Sequence, residues 1–290
     1  MTIEQWKNKG DFFRYKSHNL FYREKGEGEA LLLIHGFPTA SWDWWQLFDP
    51  LAKHYRVFAF DMLGFGFSDK PKGHRYSIME QADIVEYFLT IKGIESVRII
   101  AHDYGDTVAQ EMLARHNSRS LNTSNAFCVL RSICLLNGGL FPETHRPLFI
   151  QTLLMSPLGK FISPFFTKKK LAQNFARIFG PNTQPSQEDI DQFWALITHN
   201  NGKRIFHLLI RYMAERSQHR SRWVNALQHT KVPLRLINGV EDPISGQHMV
   251  DRYRQLISDA DVIELPGIGH FPLIEAPKDV LKHYLAFSDQ

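Results

Sequence analysis

The sequence predicts an α/β protein built on a mostly parallel sheet, opened by an antiparallel hairpin and interrupted by a helical insertion. Three observations carry that prediction. Short apolar runs recur between stretches of helical periodicity, Ala101-His102-Asp103-Tyr104-Gly105 marks a sharp strand-turn-helix junction, and the alternation stops between about Gly139 and Thr230.

In chain order, Phe12 to Tyr15 and Leu20 to Arg23 read as the hairpin. Buried strands follow at Leu31 to Ile34, Val57 to Phe60, Val97 to Ile100, Ile133 to Leu136, Leu234 to Ile237 and Val262 to Leu265. Between them Ile78, Ala82, Val85 and Leu89 repeat at helical spacing, as do Val108 and Met112. Such alternation predicts helices on both faces of the sheet, with ligands bound at the carboxyl ends of its strands. The polar stretch Asn117 to Asn125 reads as a surface loop. Residues 139–230, rich in Phe and Pro, contain no convincing strand and read as a helical cap inserted into a core of residues 1–138 and 231–290.

A chain of 290 residues with 43% hydrophobic content can bury a full core. Its net charge of +4 is scattered among acids, which argues against a nucleic-acid partner. Lys168-Lys169-Lys170 is the tightest basic cluster and reads as a solvated face. Cys128 and Cys134 fall in one expected strand, where geometry keeps them from bridging, so a reducing cytoplasm is the expected setting. The N-terminus lacks the apolar core of a signal peptide, and no run is long enough for a membrane span.

The junction at Ala101 to Gly105 has the form of a nucleophile elbow with Asp103 at its tip. Small residues two positions either side let the backbone turn sharply, and the following helix directs its N-terminal N–H groups at the site. A carboxylate there attacks an electrophilic carbon and needs no proton removed first. Asp242 and His270 each follow a later strand, giving the order nucleophile, acid, histidine. The expected chemistry is displacement at carbon by Asp103, then attack on the resulting ester by water that His270 deprotonates while Asp242 orients the ring. Glu241 adjoins Asp242 and is the competing partner for the histidine. The Phe37 and Tyr104 backbone N–H groups are the expected oxyanion donors. The glycines of Gly64-Phe65-Gly66-Phe67-Ser68 lack the remaining residues of a nucleotide loop and read as a structural turn. His102, His145, His199 and His207 lack metal-ligand spacing, and the chemistry requires neither metal nor organic cofactor. Trp42, Trp44 and Trp45 either line an apolar pocket or pack core against cap.

His35-Gly36-Phe37-Pro38, Asp61-Met62-Leu63-Gly64-Phe65-Gly66-Phe67-Ser68-Asp69, the elbow and Gly269-His270 together resemble the α/β-hydrolase fold. The resemblance covers almost the whole chain and is to the aspartate-nucleophile branch that holds epoxide hydrolases and haloalkane dehalogenases. His102 to Asp106, Phe141 to Pro147 and Arg222 to Leu227 further look like the mesoderm-specific transcript protein group. The resemblance implies a hydrolase acting on a small apolar molecule. Dehalogenases of the branch hold the halide with side-chain N–H donors where this chain has Phe37 and Tyr104, and fluoroacetate-type enzymes carry Arg where this chain has Tyr104. Those differences put epoxide hydrolysis ahead, with dehalogenation and a non-catalytic binding or signalling role as alternatives. Epoxide hydrolases of the branch use two cap tyrosines, whereas residues 139–230 hold one, Tyr212. Tyr212 is therefore the candidate cap acid or a packing residue, with His207 and Trp194 as substitute donors and Trp42 as a further pocket residue.

Overall fold

The computed structural model describes residues 1–120 and 128–288. Its strands are β1 (Asp11–Tyr15), β2 (His18–Lys25), β3 (Ala30–Ile34), β4 (Arg56–Phe60), β5 (Ser96–His102), β6 (Val129–Leu136), β7 (Leu234–Gly239) and β8 (Val262–Leu265). Each apolar run expected to be a strand falls inside one of them. They form one sheet in the order β1-β2-β4-β3-β5-β6-β7-β8.

The hairpin pairs Phe12 with Phe21 and Tyr15 with His18, and β2 joins β4, also antiparallel. All other pairings are parallel. Every residue of β3 is buried, as a strand covered on both faces requires, whereas β1 at the sheet edge alternates exposed and buried positions. Register decides where the site lies. Ile34 faces Ala101, His102 faces Leu136, Leu136 faces Ile237 and Gly239 faces Leu265. The chain therefore leaves β3, β5, β6, β7 and β8 along one edge of the sheet, and the loops carrying Phe37, Asp103, Asn137, Asp242 and His270 gather there.

The helix Ile78–Ile91 starts where the Ser77 hydroxyl accepts the Glu80 N–H at 3.1 Å, and it buries Ile78, Ala82, Val85 and Leu89 against the sheet. The elbow helix, Tyr104–Ser120, runs further than the sequence suggests. Asn117 to Ser120, expected in a loop, form its last turn, while residues 121–125 of that expected loop lie outside the described residues. The Ser118 hydroxyl donates to Ala114 O within the helix, and the Asn117 amide donates to Ala226 O on another helix. Cys128 precedes β6 and only Cys134 lies within it; both are free thiols.

Residues 139–230 contain helices and no strand. Their last helix, Arg220–Gln228, lies against the elbow helix, where Arg222 and the Trp223 indole both bond Glu111. The glycine turn after β4 is structural. Gly66 has φ +49° and leaves so little room that a Cβ would lie 2.0 Å from Asp61 Oδ2, which accepts the Phe67 N–H at 2.6 Å.

Candidate active site

Between the end of β5 and the start of the elbow helix stands a single residue, Asp103, with φ +47°. A non-glycine residue holds that left-handed conformation only where its surroundings enforce it. Here the Asp103 N–H donates to Leu136 O, and the Asp103 carbonyl accepts the Asp106 N–H, both at 3.2 Å. Gly105 lets the helix start close to β3, since a Cβ there would fall 2.5 Å from Ile34 O. The carboxylate lies against the loop after β3, where Oδ2 accepts the Phe37 N–H at 3.1 Å. Tyr104 opens the helix beside it, its buried ring edge-on to Phe65 and Tyr212.

His270 Nδ1 lies 2.7 Å from Asp242 Oδ2 and donates to it, which leaves Nε2 as the free ring nitrogen. Asp242 is fixed by three further donors: the Ser245 hydroxyl at 2.7 Å, the Asn137 amide at 3.1 Å and the Ile244 N–H at 2.8 Å. Glu241 is exposed, and Asp242 is the carboxylate on the histidine. The His270 backbone is held as firmly as its ring. Its N–H donates to Ile178 O at 2.7 Å, and its carbonyl accepts from His102 Nε2 at 2.8 Å. Glu275 completes the loop by accepting the N–H groups of Gly269 and Phe271, both at 2.9 Å.

Arg216, on the helix Tyr212–Gln218 of the 139–230 block, reaches the elbow from above. Its side chain is 3% exposed, its Nη2 donates to Asp103 O at 3.0 Å, and its Nε donates to the Thr107 hydroxyl at 2.8 Å. The same Nη2 is 3.5 Å from Asp103 Oδ1, too far for a good hydrogen bond but close enough to act through charge. Burial works against an ionised Asp103, yet His270, Arg216, His102 and the Phe37 N–H outweigh it and hold the carboxyl below its ordinary range. Burial likewise works against a charged His270, but the Asp242 and Asp103 carboxylates push the ring up to about 9. His102, whose ring centroid is 5.2 Å from that of His270, goes the other way. Burial and the charge on His270 lower it to about 4.

Asp103 and His270 line the same cavity of about 60 Å³. Its walls are mostly apolar, with Leu154, Phe175, Phe206 and Ile244 among them, and the Gln151 and Asn174 amides add polar groups. A carboxylate, a histidine backed by a second carboxylate, and a backbone donor on the first carboxylate suit attack at carbon followed by hydrolysis of the resulting ester.

A family profile described as the alpha/beta hydrolase fold matches residues 29–124. Over 99% of its length the chain is 41% identical to the mesoderm-specific transcript homolog protein of Bos taurus, covering 88% of that protein. It is 36% identical to the LipZ protein of Mycobacterium tuberculosis, with 96% of this chain and 94% of that one covered. The chain belongs to the α/β-hydrolase superfamily. Solved structures of the same fold include a haloalkane dehalogenase variant from Bradyrhizobium elkanii, with TM-score 0.80, 18% identity and 96% and 95% of the two chains covered. The epoxide hydrolase CorEH gives TM-score 0.75 at 19% identity, with 96% and 97% covered.

In this hydrolase Phe37, Asp103, Tyr104, Asp242 and His270 come together at one edge of the sheet, while the other residues singled out from the sequence stand apart from the cavity. Tyr212 packs on Tyr104 with ring centroids 4.7 Å apart and lies under the Arg216 guanidinium, so it borders Asp103 without lining the cavity. Burial and the Asp103 charge push its phenol up, which keeps the proton on it. Trp42 stacks on Trp45, meets Phe193 of the 139–230 block edge-on and donates to Met1 O, so it is engaged in packing. Trp194 lies beside Phe166 and Lys203, and His207 beside the Ser163 hydroxyl; neither is in the cavity wall. Arg216, Asn137, Ser245 and Glu275 escaped the sequence reading because no spacing rule ties them to the elbow. A signal exists for Asn137 and Ser245: both sit within three residues of a strand end or of Asp242.

Proposed function

We propose that this hydrolase cleaves a small apolar electrophile in two steps, through an alkyl ester on Asp103, beneath a cap formed by residues 139–230. The observation that carries the reading is the pairing in one cavity of Asp103, with Oδ2 on the Phe37 N–H, and His270, with Nδ1 on Asp242. Asp103 Oδ1 attacks carbon, the bond to the leaving group breaks, and an ester joins Asp103 to the substrate. That step neutralises Asp103 and so removes one of the charges that keep His270 protonated. His270 Nε2 then takes a proton from water, hydroxide adds to the Asp103 carbonyl, and the Phe37 and Tyr104 N–H groups receive the oxyanion. Collapse releases an alcohol and restores the carboxylate.

Epoxide opening is the leading form of this reaction. Its alkoxide needs a proton, and Tyr212, protonated and bordering Asp103 from outside the cavity wall, is the phenolic donor of this reading, which requires its side chain to shift toward the cavity when substrate binds. One observation supports dehalogenation as the second reading: the Gln151 and Asn174 amides in the cavity wall can hold a halide, which leaves without a proton. Mass spectrometry of a His270→Gln variant incubated separately with an epoxide panel and a haloalkane panel tests both. The expected result is an alkyl adduct on Asp103 from the epoxides. An adduct from haloalkanes alone transfers the reading to dehalogenation, and no adduct from either panel sinks the covalent mechanism.

A further inference from the structure

Among the described residues, nine large hydrophobic side chains are exposed, and five of them fall within residues 149–165. Phe149 and Phe165 are each 80% exposed and Phe161 is 61% exposed, with Met155 and Leu158 between them. An apolar patch so concentrated marks an interaction surface. The helices Phe149–Met155 and Gly159–Ile162 both pack on Phe206–Leu209, so these residues belong to one lobe.

Along this segment of the chain the charge has one sign. Residues 144–187 contain no Asp or Glu and six basic side chains: Arg146, Lys160, Lys168, Lys169, Lys170 and Arg177. Lys160 lies over the Phe161 ring, 4.7 Å from its centroid, and Lys169 and Lys170 are exposed at the start of the next helix. Lys168 is paired with Asp191 on the following helix. Exposed phenylalanines beside unopposed lysines complement a bilayer whose headgroups are anionic.

The same segment meets the cavity. The helix Phe149–Met155 turns Phe149 to solvent while Ile150, Gln151 and Leu154 line the space above Asp103. We infer that residues 149–170 dock the hydrolase on an anionic lipid surface, Phe149, Phe161 and Phe165 entering the interface and Lys160, Lys169 and Lys170 meeting the headgroups. The docking inferred is by this surface alone; no helix of the described residues is long and apolar enough to cross a membrane. The consequence for substrate delivery rests on the proposed function: an apolar molecule dissolved in the bilayer is carried by the docked helix to the cavity without crossing bulk water.

The test is flotation of the full chain with vesicles of phosphatidylcholine alone or mixed with phosphatidylglycerol. The chain should float with the mixed vesicles and remain behind with the neutral ones. Lys169→Glu with Lys170→Glu should weaken binding about tenfold or more. Phe149→Ser, Phe161→Ser and Phe165→Ser combined should abolish it, and a Phe165→Trp variant should shift its emission to the blue on mixed vesicles. Failure to float, equal flotation on both vesicles, an unshifted Phe165→Trp emission, or a dimer that the triple serine variant dissociates would each overturn the inference, the last by assigning the patch to a second copy. Adduct formation at Asp103 from dissolved substrate reads the catalytic proposal separately, because none of these substitutions lies in its machinery.

Discussion

The strand-end rim and the helical block above it face the same carboxylate but are built on different physical terms. At the rim, parallel register brings Ile34, His102, Leu136, Gly239 and Leu265 to a common edge, so the loops that follow are placed by the backbone itself. In the block, Arg216, Gln151 and Asn174 reach the elbow and cavity from separate helices through side-chain packing. A rim residue is therefore positioned by topology, and a block residue by the identity of its neighbours.

The largest expected effect breaks the rim. Under the proposed mechanism, Asp103→Ala should lower turnover on the order of 10⁴-fold, because among the described residues no other carboxylate lines the cavity to form the ester. His270→Gln should differ in kind: one equivalent of adduct forms and its hydrolysis stops. If single-turnover kinetics show both variants blocked before the adduct, His270 serves the first step and the division of labour proposed for the rim is incorrect.

Arg216 is the sharpest test of the block. Arg216→Met removes the charge beside Asp103 and the bond to its carbonyl, and should cost about 10²-fold in kcat/KM through misplacement of the nucleophile. It should also raise the Asp103 pKa, moving the acid limb of the pH profile to higher pH. Arg216→Lys should restore that limb more than it restores rate, since an ammonium keeps the charge but cannot bridge Thr107 and Asp103 in the same geometry. An acid limb that stays in place in the Met variant would limit Arg216 to holding the helix.

The contrast between rim and block also explains how much could be read from the chain. Eight strands, the elbow, Asp242 and His270 were legible because each depends on local periodicity or on a residue just beyond a strand end. Arg216 lies 113 positions from Asp103, and no local rule links a helix so far along the chain to the turn after β5. The same blindness affected Asn117, whose polar character suggested a loop although its amide found a carbonyl on another helix, while Trp42, left open between pocket and packing, stacks on Trp45. Leaving-group donors follow suit. Tyr212→Phe should lower epoxide opening about tenfold and leave halide release unchanged, whereas Asn174→Ala with Gln151→Ala should do the reverse. Initial rates on matched epoxide and haloalkane substrates decide between them.

The smallest effect separates two histidines of the rim whose rings are 5.2 Å apart. His270 is raised to about 9, so the folded state holds a proton that the unfolded chain releases near 6.5. Its contribution to stability is complete below about pH 6.5 and is lost as pH rises toward 9. His102 at about 4 and His35 at about 3 are kept neutral by burial, so the unfolded chain takes up protons first. Their contribution is present above about 6.5 and is lost as pH falls toward those values. Thermal melting should therefore show a maximum near neutrality, with His270→Gln flattening the alkaline side by about 2–4 °C; the acid side changes as well, because the His270 charge lowers His102, Asp103 and Asp242. The difference between the two proteins is the quantity to measure, because Lys70, lowered to about 8 by burial, opposes the alkaline loss equally in both. A wild-type melting temperature that does not fall relative to the variant between pH 6.5 and 9 would mean that His270 is neutral in the resting hydrolase, ready to act as a base before Asp103 is esterified.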